Sequence, residues 1–182
     1  MDMRISKGMK TWVAAMALLA SSGAWAGVQV SFEQPDKYTD VPFSPSDRQV
    51  ALDGLADHFQ FLGKSLRPGQ ELKIEVTDVD LAGREDLTRR GASTIRVMDG
   101  RTDWPRMRLR YTLAQNGKVI ASGNAYLSDM SYLQRLGRYS STDALRYEKQ
   151  MIDDWFRNTF DVKPRGRSKP VVILPAPEVQ GR

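Results

Sequence analysis

The chain contains no cysteine and only one histidine, His58, in 182 residues. The first absence excludes a disulfide scaffold, cysteine-held zinc, iron–sulfur clusters and a thiol nucleophile. The second excludes histidine-cluster metal sites. Charge is not strongly of one sign, since 27 Lys and Arg face 22 Asp and Glu, so the overall balance does not point to nucleic acid. There is no Gly-rich phosphate loop, no G-x-S-x-G elbow and no metalloprotease motif. Internal repeats and low-complexity core segments are also lacking. What is there is 41% hydrophobic residues against 27% charged. That is enough apolar surface to offset the entropy of ordering one domain.

The apolar run from Thr11 to Ala20 is too short to span a bilayer comfortably. Arg4, Lys7 and Lys10 precede it and Ala24-Trp25-Ala26 follows, so residues 1–26 read as a signal peptide cleaved between Ala26 and Gly27. Export would place the protein in the periplasm, with no transmembrane segment left after processing. The leader holds three basic residues and one acidic residue, which leaves 24 Lys and Arg against 21 Asp and Glu. Residues 161–182 carry Pro164, Pro170, Pro175 and Pro177 with no helical or strand period, and read as a disordered basic tail. Lys163, Arg165, Arg167 and Lys169 beside Val171–Leu174 could also touch an anionic lipid surface. Residues 27–160 are then a single α+β domain.

Within it, Val28, Val30 and Phe32 alternate with polar residues as a strand. The Ser46–Gln49 spacing suggests a capping box opening a helix, whose stripe is Ala51, Leu52, Leu55, Phe59, Leu62 and Leu66. Pro68-Gly69 ends it, and Leu72, Ile74 and Val76 mark a second strand. Residues 82–93 read as a polar loop and Thr94–Met98 as a short third strand. Met107–Leu127 reads as a hairpin. Segregated faces favour a three-residue loop, Gln115-Asn116-Gly117, that pairs Leu109 with Gly123, over the two-residue Asn-Gly turn. A final helix runs from about Thr142 to Phe160. The order β-α-β-β-β-β-α predicts a two-layer sandwich: a mainly antiparallel sheet with two helices on one face and water on the other.

Some residues break their local pattern. Asp78 and Asp80 share the parity of Leu72, Ile74 and Val76, so an unbroken strand would bury both. A bulge after Thr77 would instead release them, with Arg84 as a neutral partner. Glu148 sits inside the last helix's apolar stripe and needs a partner or a raised pKa, with Arg84 and Arg96 as candidates. Arg106, Arg108 and Arg110 form an outward stripe with Arg96 and Tyr126 as neighbours. Such a stripe suits an anionic ligand, or is simply a solvated face paired to Glu71 and Glu75. His58, at the edge of the first helix's stripe, reads as a packing residue.

Several segments together look familiar: Thr77–Arg84, Ile95-Arg96-Val97, Asp103-Trp104-Pro105-Arg106, Leu127–Leu133, Tyr147-Glu148-Lys149 and Trp155-Phe156. They resemble the bacterial secreted domain-of-unknown-function family 3016. The resemblance implies an exported protein and carries no activity, substrate or cofactor.

Two classes of function follow. The first is a non-enzymatic binding or accessory module of the cell envelope. It would meet an envelope protein or an anionic glycan or lipid through Arg106, Arg108, Arg110 and Tyr126, with no cofactor, no metal and no nucleic acid. The second is a carboxylate-based periplasmic hydrolase using Asp78, Asp80, Asp129 and Glu148. Carboxylates converging on one cleft favour the enzyme, whereas carboxylates each paired to arginine or backbone favour the module. Asp78, Asp80, Arg84, Arg96, Asp129 and Glu148 are the polar set on which that choice turns.

Overall fold

A computed structural model of the chain describes residues 27–87 and 94–160. The leader over 1–26, the tail over 161–182 and part of the expected polar loop lie outside the described residues. Among the described residues six strands and two α-helices run in chain order, with a single 3-10 turn at Pro35–Lys37 after the first strand: β1 (Gly27–Phe32), α1 (Pro45–Gly63), β2 (Gln70–Asp80), β3 (Arg84–Leu87), β4 (Thr94–Val97), β5 (Arg106–Gln115), β6 (Lys118–Ser128) and α2 (Arg146–Phe160). This is the expected α+β sandwich, with β3 added where a loop was read. β3 and β4 form a small separate ribbon, pairing Arg84 with Val97 and Glu85 with Arg96.

The main sheet has the order β1-β2-β5-β6. β1 lies parallel to β2 because α1 carries the chain back across the sheet, as a parallel connection requires. The other pairings are antiparallel. Leu72, Ile74, Val76, Met107, Leu109 and Leu127 of the inner face are buried against Leu52, Leu55 and Phe59 of α1 and Met151, Ile152 and Phe156 of α2. Apolar burial of this kind supplies the main favourable term of the fold. Tyr111, Trp155 and Phe160 close one end of the core edge to face, with ring centroids 5.4–5.7 Å apart. Gly123 lies opposite Tyr111, and a Cβ there would come within 3.3 Å of the Tyr111 ring.

Two bulges set which residues face the core. In β2 the partner of Val76 is Leu109 and that of Asp78 is Arg108, so Thr77 is the extra residue. The parity flips there. Val79 takes over the buried row, while Asp78 and Asp80 turn to the outer face.

At the hairpin, the expectation of a three-residue loop is corrected. Asn116 and Gly117 both have positive φ, at 51° and 79°, and Gln115 pairs with Lys118 across a two-residue turn. The register then shifts between Leu113 and Ala114, which leaves Ile120 as the extra residue. Leu109 pairs with Ala125 rather than Gly123. The bulge restores the separation of faces that a two-residue turn alone would have mixed.

Two helix starts also differ from expectation. Ser44, not Ser46, caps α1: its hydroxyl accepts from the Asp47 N–H, and Pro45 occupies the first helical position. Gln49 instead donates to Asp53. The last helix starts at Arg146 rather than near Thr142; turns on either side of Asp143 lead into it, and the Asp143 carboxylate accepts from the Leu145 N–H just ahead of α2.

Candidate functional site

The outer face of the sheet carries a ladder of ion pairs. Arg106 Nε lies 3.0 Å from Asp80, Arg108 Nη1 3.2 Å from Asp78, and Arg110 spans Glu75 at 3.0 Å and Glu33 at 2.6 Å. Register explains the order, because Asp80, Asp78 and Glu75 stand opposite Arg106, Arg108 and Arg110 across β2 and β5. Hydrogen bonding to Arg110 holds the Glu75 carboxyl below its ordinary range. Asp80 moves the other way: burial raises it and Arg106 only partly offsets that. Two aromatic rings lie along the same row, Trp104 beneath Arg106 and Tyr126 beneath Arg108, at 4.7 and 5.5 Å. Gln29, Ser31, Lys73, Glu75, Arg110 and Thr112 line a shallow depression beside the ladder. The three arginines pair with Glu33, Glu75, Asp78 and Asp80 and not with the expected Glu71, which stands opposite Ala114; with Lys73 and Glu71 on the same strand the face is charge-balanced rather than basic.

The second polar region is internal. Glu148, 2% exposed, lies in the first turn of α2 and accepts the Ala82 N–H on Oε1 at 2.7 Å. Oε2 is buried without a partner. Arg96 reaches the same turn from the other side. Its Nε donates to the Ala82 carbonyl at 2.9 Å, and its Nη2 donates to Leu81 and Gly83 carbonyls at 3.1 and 3.0 Å and to Asp40 at 2.5 Å. Nη1 is buried and unpartnered. Burial raises the Glu148 pKa. The Ala82 N–H, the residue's own N–H, Arg96 and Arg146 pull against that shift without cancelling it. The sequence-level pair therefore takes a different form. Arg96 and Glu148 hold opposite sides of one peptide unit, and Arg84 instead faces Asp99 at 3.6 Å on the surface.

A third network packs the 129–145 segment onto α2. Asp129 accepts from Arg135 at 2.7 Å and from the Ser131 N–H. Asp154 receives Arg135, Arg138 and Arg157; burial pushes its carboxyl up, and Arg135 and Arg138 outweigh that and hold it low. Buried His58 points Nε2 at Asp153, 2.8 Å away, and Tyr139 donates to the same carboxylate.

The six residues of the polar set thus lie in separate places. Asp78 and Asp80 join Arg106, Arg108, Arg110 and Tyr126 on the outer face, Arg96 and Glu148 share the Ala82 turn, Asp129 belongs to the 129–145 segment, and Arg84 is on the small ribbon. Among the described residues no group of three or more His, Asp or Glu side chains comes together to hold a cation. Sequence reading missed Asp40, Trp104 and the Asp153–Asp154 pair. The Trp104-Pro105-Arg106 step could have signalled the second, as an aromatic beside an arginine at a strand start. Asp40 acts across 56 residues and left no local sign.

The fold and its surface define a small two-layer α+β domain with one open, ion-paired sheet face. The chain belongs to the family described as "Protein of unknown function (DUF3016)", whose model matches residues 26–158. No curated protein matches the chain. No solved structure does.

Proposed function

We propose that this is an exported periplasmic protein, a non-enzymatic binding or accessory module of the cell envelope, and that its outer sheet face is the contact surface. The observation that carries this reading is the open face itself. Four strands present preorganised Arg–carboxylate pairs and two aromatic rings, with no α-helix above them among the described residues. A balanced row of both signs suits the polar surface of an envelope protein better than an anionic glycan or lipid, because each arginine already has a carboxylate and would have to exchange it. The hydrolase alternative gains no support from geometry, since Asp78, Asp80, Asp129 and Glu148 are engaged by separate partners. Export rests on residues 1–26 alone.

The contact surface is tested by a photo-crosslinking residue at Thr112 on the outer face, with Gln60 on α1 as the control. Adducts to one envelope protein from position 112 alone are the expected result. Absence of any adduct from Thr112, or equal adducts from both positions, overturns the reading. Export is tested separately. N-terminal sequencing of periplasmic material should begin at Gly27, and retention of residues 1–26 would defeat it.

A further inference from the structure

The two edges of the main sheet are β1 and β6. β6 is eleven residues long, contains no proline, and carries one charge, Lys118, at its first position. Proteins blunt free edges with charges, prolines, short strands or a covering segment, because unpaired N–H and C=O groups invite another strand. Here the charges lie in the wrong strands for that purpose. The internal strands β2 and β5 hold the acids and arginines of the ladder, while β6 presents Ser122, Asn124, Tyr126 and Ser128 on the same face. Its only irregularity is the bulge at Ile120, which leaves residues 121–128 regular. Among the described residues no strand pairs with its far side.

Val119, Ile120 and Tyr126 of that edge strand are all more than half exposed, Ile120 at 52% and Tyr126 at 58%. Ile120 and Tyr126 stand three residues to either side of Gly123 in the sequence. An antiparallel partner related by a two-fold axis through Gly123 would bring Ile120 of each copy against Tyr126 of the other, twice. It would also set Ala121 against Ala125 and Ser122 against Asn124. An edge that is complementary to itself in this way fits a second copy of the same chain, in an isologous contact that closes at two.

We infer that two copies of this chain pair β6 to β6, making one eight-stranded sheet with the order β1-β2-β5-β6-β6-β5-β2-β1. The ladder faces of the two copies become continuous, and the arginines stay open. The inference goes beyond the envelope reading and does not depend on it.

The test is the mass in solution of the chain expressed with its own leader and purified as the host leaves it. Twice the chain's mass is expected. Ile120→Lys with Tyr126→Lys places like charges opposite each other twice and should run as a monomer. Ile120→Lys with Tyr126→Glu places opposite charges there and should restore the dimer. Both variants change exposed side chains, and circular dichroism checks that each is folded. A monomeric wild type at every concentration overturns the inference, as does a Lys/Lys variant that stays dimeric. A Lys/Glu variant that is folded but monomeric also overturns it, because the register is then wrong. Truncation after Lys163 should leave the dimer intact. If it alone dissociates the dimer, the Val171–Leu174 segment makes the seam and the β6 pairing fails.

Discussion

The same two residue types, arginine and carboxylate, build two regions of this molecule that behave differently. On the outer face Arg106, Arg108 and Arg110 meet Asp80, Asp78 and Glu75 side chain to side chain, in contact with water. At the Ala82 turn, Glu148 accepts from a backbone N–H, and Arg96, apart from its ion pair with Asp40, donates to backbone carbonyls. They take up the N–H and C=O groups of residues 81–83, which the chain cannot satisfy for itself as it leaves β2. Buried backbone groups without partners are costly, whereas exposed ion pairs exchange one good environment for another. The internal region is therefore part of the fold's cohesion, and the outer one is free to be used by something else.

The largest effect that would sharpen this contrast is expected at Glu148. Glu148→Ala strands the Ala82 N–H and leaves a cavity beneath the turn, for a loss on the order of 3 kcal/mol in denaturant unfolding. Glu148→Gln keeps an acceptor of the same shape for the Ala82 N–H, so it should cost clearly less. Equal losses for the two variants would break the account, because they would show that charge rather than the backbone bond matters. Next is Arg96→Lys. A single ammonium cannot serve three carbonyls and Asp40 as the guanidinium does, and about 2 kcal/mol should be lost despite the retained charge. A Lys variant as stable as the wild type would mean that the carbonyl contacts contribute little.

Protonation distinguishes the regions further. The folded state raises the pKa of Glu148, so it holds this proton at pH values where the unfolded chain has released it. The contribution of this group is thus fully present at low pH. It declines as pH rises from the ordinary carboxylate range through the raised folded value, and is level beyond. Asp154 and Asp103 are lowered and act in the opposite direction, losing their contribution as pH falls. Stability measured for wild type and Glu148→Gln over the same pH series isolates the term. The difference should move in favour of the Gln variant as pH increases, and a flat difference would contradict the burial argument.

Much of this contrast was legible in the sequence, for reasons that differ by residue. Glu148 stood out because a carboxylate inside an apolar helical stripe conflicts with the period that surrounds it, and such conflicts survive into the structure. Its partner was not legible. The Ala82 N–H is a backbone group, and no side-chain pattern announces it. The row of arginines was visible from strand alternation, but its neutralisation depended on Thr77, whose bulge turns Asp78 and Asp80 outward. A bulge is one residue inserted into a ladder, and neighbours on both strands decide it. The hairpin shows the same limit. Reading the faces as segregated was sound, while the means was a two-residue turn with a bulge at Ile120 rather than a longer loop. Period and parity can be read along one strand, but pairing irregularities belong to two.

The smallest expected effect lies on the ladder, and it is the direct test of the claim that this face is not needed for folding. Arg108 and Asp78 form a pair across β2 and β5, and Arg108 is 62% exposed in its side chain. A double-mutant cycle with Arg108→Ala and Asp78→Ala should give a coupling of a few tenths of a kcal/mol, within the range of exposed pairs. Because Asp78 also accepts from the Thr39 N–H and hydroxyl, Asp78→Ala alone should cost more than Arg108→Ala alone. Raising the salt concentration should shrink the coupling further, since solvent-exposed charges are screened within about 10 Å at moderate ionic strength. A coupling above about 2 kcal/mol that persists in high salt would place the ladder in the same category as the Ala82 turn. The outer face would then be a structural element, and its arginines would not be available to a partner without cost to the fold.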